Sequence, residues 1–209
     1  MSEFPMATAS ITTNQKLTFE QFLEHLPDAD GRYELVNGEI VRILATRQHD
    51  DIADFIADAL NNEAKRLQLN HRVSGRIMIR THTPEGKEQG RQPDVSVVEK
   101  TIWLANRAAY SALFEPLQMA VEVISTNWED DYIDKLDEYQ RLGIPEYWIV
   151  DYLALGSRNY LGNPKVPTVF VYLLDENRVY QSTAFRANDT IVSRTFPEMV
   201  LTAEQIFQA

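Results

Sequence analysis

Leu117-Gln118-Met119-Ala120-Val121-Glu122-Val123-Ile124-Ser125 is the stretch that decides how this chain folds. Apolar residues occupy almost every position, so neither face of the segment can be left in water. That is the mark of a central strand in a sheet covered on both sides. One residue interrupts it: Glu122, between Val121 and Val123. A carboxylate in a buried strand is costly unless a cation or strong donors compensate it. Downstream, Tyr132, Leu136, Tyr139 and Gly143 share one narrow stripe at about 100° per residue, which predicts a helix over about 130–143. Lys135 borders that stripe, about 40° from Tyr139, while Asp134, Asp137 and Arg141 point away. Gly143 and Pro145 end the helix. Tyr147-Trp148-Ile149-Val150 then reads as another buried strand.

Upstream, a second apolar run opens on an acid: Pro93-Asp94-Val95-Ser96-Val97-Val98. Residues 72–82 alternate and predict one strand, with Ile77 and Ile79 on one face and Arg76, Met78 and Arg80 on the other. Thr83 to Gly90 is the turn between these two strands. Ile52, Phe55, Ile56, Ala59, Leu60, Ala64 and Leu67 recur at helical spacing, predicting an amphipathic helix over 49–69. Tyr33-Glu34-Leu35-Val36, Asn37-Gly38 and Glu39-Ile40-Val41-Arg42-Ile43 form a hairpin, because Asn-Gly tolerates the positive φ of a tight turn. Thr18-Phe19-Glu20-Gln21 is a capping box for a short helix to about His25.

Residues 101–116 read as a short helix between two irregular pieces. A loop covers 155–167, strands follow near 168–174, 178–185 and 190–194, and Thr202-Ala203-Glu204-Gln205 caps a last helix. Residues 1–16 show no periodicity and are expected to be disordered, leaving 17–209 as one domain. The fold class is α/β with an α+β mixed sheet, since the elements do not alternate as a doubly wound fold requires.

The formal net charge of −11 argues against a general nucleic-acid coat protein but not against an enzyme with a local basic groove. Arg76, Arg80, Lys87 and Arg91 make the best such patch and suit phosphate contacts, unless they are ordinary solvated charges balanced by Glu85 and Glu88. Cysteine is absent, which excludes disulfides and cysteine–zinc sites. The first residues carry no apolar signal core, and no apolar run approaches bilayer length, so a cytoplasmic protein with no membrane partner is expected.

Two carboxylates on neighbouring strands make a site for a hard divalent metal, and a nearby lysine can orient a water and offset charge on a phosphorane-like transition state. Each residue also has a plainer reading. Asp94 could accept a backbone N–H at a strand entrance, Glu122 could pair with an arginine, and Lys135 could cover apolar surface with its ammonium in water.

Pro93-Asp94 followed by Glu122-Val123-Ile124 resembles the PD-(D/E)XK nuclease motif, with Ile124 in the place of the motif's lysine. The resemblance is closest to small bacterial restriction endonuclease-like proteins long filed as a domain of unknown function. It is carried by Tyr33 to Glu39, Gln92 to Val95, Val121 to Ser125 and Lys135 to Asp151, over about 17–175. It implies a restriction-endonuclease-like αβββαβ core with an N-terminal β-hairpin and extra C-terminal strands. It implies Asp94 and Glu122 as ligands of Mg2+ (or Mn2+), with Lys135 replacing the strand lysine and Glu34 either completing the shell or standing as an exposed hairpin charge. His49 stands where these proteins often carry a histidine, and Tyr139 follows Lys135 by one turn. A helix-capping or solvated role for His49 and a packing role for Tyr139 remain open. The implied activity is hydrolysis of nucleic-acid phosphodiesters, DNA first, by a homodimeric endonuclease. The other reading is a catalytically inactive module of the same fold that binds protein or nucleic acid.

Overall fold

The computed structural model describes residues 16–27 and 31–209; the expected disordered stretch 1–16 falls, Lys16 excepted, outside them. Asn37 and Gly38 take φ of 53° and 81° and fold β1 (Arg32–Val36) against β2 (Glu39–Ile43). With β4 (Met78–His82), β5 (Glu88–Arg91) and β7 (Ala112–Leu113) they form a sheet of order β2-β1-β5-β4-β7. A second sheet contains β3 (His71–Ser74), β6 (Val95–Glu99), β8 (Met119–Val123), β9 (Glu146–Asp151), β10 (Thr168–Leu174) and β11 (Tyr180–Phe185). Its order is β11-β10-β9-β8-β6-β3. Both sheets are mixed: β4–β7 and β8–β9 run parallel within otherwise antiparallel neighbours. The helices are α1 (Phe19–Glu24), α2 (Arg47–Arg66), α3 (Lys100–Ala105), α4 (Leu136–Leu142), α5 (Arg158–Leu161) and α6 (Ala203–Phe207).

Strand periodicity sorts the second sheet into two faces. Val121, Val123, Trp148 and Val150 pack with Ile52, Ile56 and Leu60 of α2. Ala120, Ile124, Tyr147 and Ile149 face the other way, onto Tyr132 and Tyr139. Glu122 shares the parity of Ala120 and Ile124, so it faces the helix that follows β8. That helix is not uniform. Asp130–Lys135 is wound as a π-helix before α4 begins, and Asp131, Tyr132 and Lys135 are buried together. Such wider turns are rare and concentrate at functional sites.

The predicted strand 72–82 is broken in two. Its first part joins the second sheet as β3 and its last part joins the first sheet as β4. The chain crosses between sheets at 75–77, and again at 92–94 between β5 and β6. The crossings touch at Gly75, where a Cβ would lie 2.7 Å from the backbone oxygen of Asp94. Alternation persists through the break, so periodicity alone cannot reveal it. The expected strand at 190–194 reduces to one bridge between Thr190 and Thr202. The 155–167 loop holds α5, started by the Ser157 hydroxyl. In 101–116 the helix begins directly after β6 rather than after an irregular piece. Among the described residues, no helix is long and apolar enough to cross a membrane.

Candidate active site

Glu122 is 2 % exposed. The Tyr139 hydroxyl donates to its Oε1 at 2.7 Å, and the Lys135 ammonium lies 3.2 Å from its Oε2. Burial pushes this carboxyl up to about 8; Lys135 opposes the shift, while Asp94, Asp131 and Glu34 add to it. The Lys135 Nζ also stands 3.0 Å from Asp131 and 3.5 Å from Glu34. An ammonium has three N–H bonds, and three carboxyl groups surround this one. Burial alone would lower its pKa, but Asp131, Glu122 and Glu34 outweigh burial and hold it well above the usual lysine range. Asp131 is itself pushed up to about 6 by burial, against the pull of Lys135.

Asp94 closes the crossing from β5 to β6. Arg32 of β1 pairs with its Oδ1. His49 Nε2 lies 3.1 Å from Oδ2, which also accepts the Val123 backbone N–H at 2.7 Å. Burial would raise this carboxyl; the hydrogen bond from His49 and the charges of Arg32, His49 and Lys135 hold it well below the ordinary aspartate range. His49 is delivered by the first turn of α2, whose cap Thr46 accepts the His49 N–H at 3.2 Å. Burial pulls the imidazole down, but its bond to Asp94 outweighs that and raises it.

Glu34 reaches the cluster from β1. It accepts Arg91 Nη1 at 3.1 Å and the Gln92 backbone N–H at 3.2 Å. Burial works against its ionisation, yet Lys135 and then Arg91 keep it below the usual range. Arg91 spans from Glu34 to Glu138, donating to both Glu138 oxygens at 2.6 and 2.8 Å. Thr81 adds a 2.6 Å bond to Glu138.

The predicted acids and Lys135 thus meet in one cluster, joined by His49 and Tyr139. The basic patch does not survive as drawn. Arg91 is 3 % exposed and committed to two carboxylates, so it is no surface phosphate contact. Its strand was placed inside the turn, and β5 instead lies between β1 and β4. Arg80 pairs with Glu88 at 3.2 Å and covers the Phe114 ring at 4.4 Å. Arg76 and Lys87 are exposed, Arg76 at the sheet crossing. Breaking a buried pair strands its partners, at about 3–5 kcal/mol. Arg91→Ala is therefore expected to lose stability of that order in urea denaturation, where a solvated arginine would cost almost nothing.

Three participants escaped the sequence reading: Arg32, Asp131 and Glu138. Two had a usable signal. Arg32 shares strand parity with Glu34, and Asp131 precedes Lys135 by one turn at i,i+4. Glu138 had none, because its partner Arg91 comes from another layer.

Whether these residues suit a divalent cation can be judged from charge. With every acid ionised, Glu34, Asp94, Glu122, Asp131 and Glu138 outnumber Lys135, Arg32 and Arg91 by two charges. With Glu122 protonated, as its raised carboxyl is at neutral pH, the shortfall is one, and a protonated His49 cancels it, so the site calls for a cation as Glu122 ionises. Hard carboxylate oxygens are the donors Mg2+ and Mn2+ take. Among the described residues, no three His, Asp or Glu side chains converge as a ready-made cage. Mg2+ needs no such cage, since one or two carboxylates with water and phosphate suffice. The donor set fits.

Two mixed sheets, a helix on each face of the larger one, and a buried acid–lysine cluster at the crossing between sheets define a restriction-endonuclease-like α/β protein. The chain belongs to the Uma2 family, described as "Putative restriction endonuclease", whose profile matches residues 19–204. It is similar to a solved structure from Anabaena variabilis, titled as a "putative nuclease belonging to DUF820". The identity is 18 %, the TM-score 0.68, and the match covers 92 % of this chain and 98 % of that one, which shows a shared fold. No curated protein matches the chain.

Proposed function

We propose that this chain is a Mg2+- or Mn2+-dependent endonuclease that hydrolyses nucleic-acid phosphodiesters, with DNA as its first substrate. The observation that carries the reading is Glu122: a fully buried carboxyl, raised to about 8, among more acids than cations. Its strand position costs stability that packing does not require, which is what a functional residue looks like. Asp94, Glu122 and Glu34 would hold the ion. When bound it supplies Lewis-acid stabilisation of charge on the phosphate and acidifies water.

The chain's own residues divide the rest. Lys135 is an ammonium, so it is a poor proton acceptor; it orients the attacking water by donation and offsets negative charge on the phosphate. Tyr139 fixes the Glu122 carboxylate. His49 and Arg32 hold Asp94 in its rotamer. Arg76, Arg80 and Lys87 remain the candidates for backbone phosphate contacts.

Arg32 occupies an oxygen of a proposed ligand. Arg32→Gln is expected to tighten Mn2+ binding severalfold in calorimetry, because one competing cation is removed. Unchanged or weaker binding would mean that Arg32 does not compete with the ion.

The activity is tested by incubating purified protein with single- and double-stranded DNA and RNA, with Mg2+, Mn2+ or chelator, beside Glu122→Gln. Cutting should need metal and vanish in the variant; cutting that survives it points to another site. The inactive-module reading draws on one observation: the Lys135 ammonium is already ringed by three carboxyl groups. A wild type that binds nucleic acid but never cuts it, with either metal, would favour that reading.

A further inference from the structure

The candidate active site leaves unused a groove of about 750 Å3 between the C-terminal end of α2, β3, α3 and the α3–β7 connection. Among the described residues β3 is the edge of its sheet, with one side unpaired. β6 connects the two regions: Asp94 precedes it and Lys100 follows it. At about 3.3 Å per residue they lie roughly 20 Å apart.

Four cations line the groove: Lys65, Arg72, Lys100 and Arg107. All are exposed, and among the described residues none forms an ion pair. Glu115 is the one acid on the lining. In a chain of net charge −11 such a gathering of unspent cations has to be explained. Aromatic surface is interleaved with it. Tyr110 is 64 % exposed, and Trp103 carries the Arg72 guanidinium 4.6 Å from its ring centroid.

A ligand for this surface must be anionic and must offer flat apolar faces. An acidic peptide answers the charge but not the rings. A duplex answers the charge, but its base faces are already stacked. A single strand answers both, since every base has a π-face and every linkage a negative charge. We propose that this groove binds single-stranded nucleic acid, with phosphates on Lys65, Lys100 and Arg107 and bases against Trp103 and Tyr110. This rests on the nuclease reading above and extends it: the groove holds a part of the substrate remote from the cut.

The test is fluorescence anisotropy of a labelled oligothymidylate with chelator present, so that nothing is cut. For three neutralised phosphates the affinity should fall with salt at a log–log slope near −2, at about 0.7 per phosphate. Lys100→Glu with Arg107→Glu should weaken binding at least tenfold and flatten the slope. Tyr110→Ala should weaken it severalfold at unchanged slope, and this exposed side chain is not needed for folding. The proposal is overturned if the double reversal binds like wild type, or if polyglutamate of equal length competes as well as the oligonucleotide. It is overturned equally if the double reversal changes the sedimentation of the free protein, which would make the groove an interface between copies. The two readings fail differently. A wrong nuclease reading leaves groove-dependent binding without cutting, and a wrong groove leaves metal-dependent cutting with binding indifferent to the reversal.

Discussion

Lys135→Ala is expected to cost the fold about 3–5 kcal/mol at neutral pH and to abolish cleavage. The figure is that for removing one partner of a buried ion pair. Here the lone ammonium serves Asp131, Glu122 and Glu34, none of which has solvent to fall back on. The loss should depend on pH in a definite direction. Asp131 and Glu122 are raised to about 6 and about 8 even with Lys135 present, and removing the cation raises them further. Protonating them discharges the cluster, so the deficit measured by urea denaturation should shrink from pH 8 to pH 5. A variant that unfolds like wild type at pH 8 would show that Lys135 compensates nothing.

Glu122→Gln has the opposite effect on stability and the same effect on cutting. In the unfolded chain this glutamate ionises near 4.5, and in the folded metal-free protein near 8. Between those values the unfolded state has lost a proton that the folded state keeps, so stability falls as pH rises. The penalty is absent below about 4.5 and complete above about 8, and it amounts to a few kcal/mol. An isosteric amide removes it while still accepting from Tyr139. Without metal, the variant should melt above wild type at pH 8 and beside it at pH 4.5. Cleavage should nevertheless be lost. A residue that only braced the fold could not give this pairing, since its removal would lower both.

Much of this arrangement was legible before any coordinates. Asn37-Gly38 demanded a tight turn, and the turn is there. The apolar run around Glu122 demanded a central strand, and β8 lies between β6 and β9. The misplaced carboxylate itself signalled that a cation must be near, and the following helix supplied one. What could not be read was created by the crossing of two sheets. Gly75 breaks a strand without breaking its alternation. Arg91 looks like a surface charge until β5 is sandwiched between β1 and β4. The π-helical turn that buries Asp131 with Lys135 has no periodic signature, because at this length it passes for α-helix.

The central claim is that the buried acids around Lys135 take up a divalent ion, which supplies the positive charge they lack once Glu122 ionises. Calorimetric titration of Mn2+ at pH 7, repeated in buffers of different ionisation enthalpy, tests it most directly. We predict one ion per chain, bound with release of close to one proton as Glu122 ionises, and loss of both in Glu122→Gln. Binding that releases no proton and is unchanged in Glu122→Gln would contradict it.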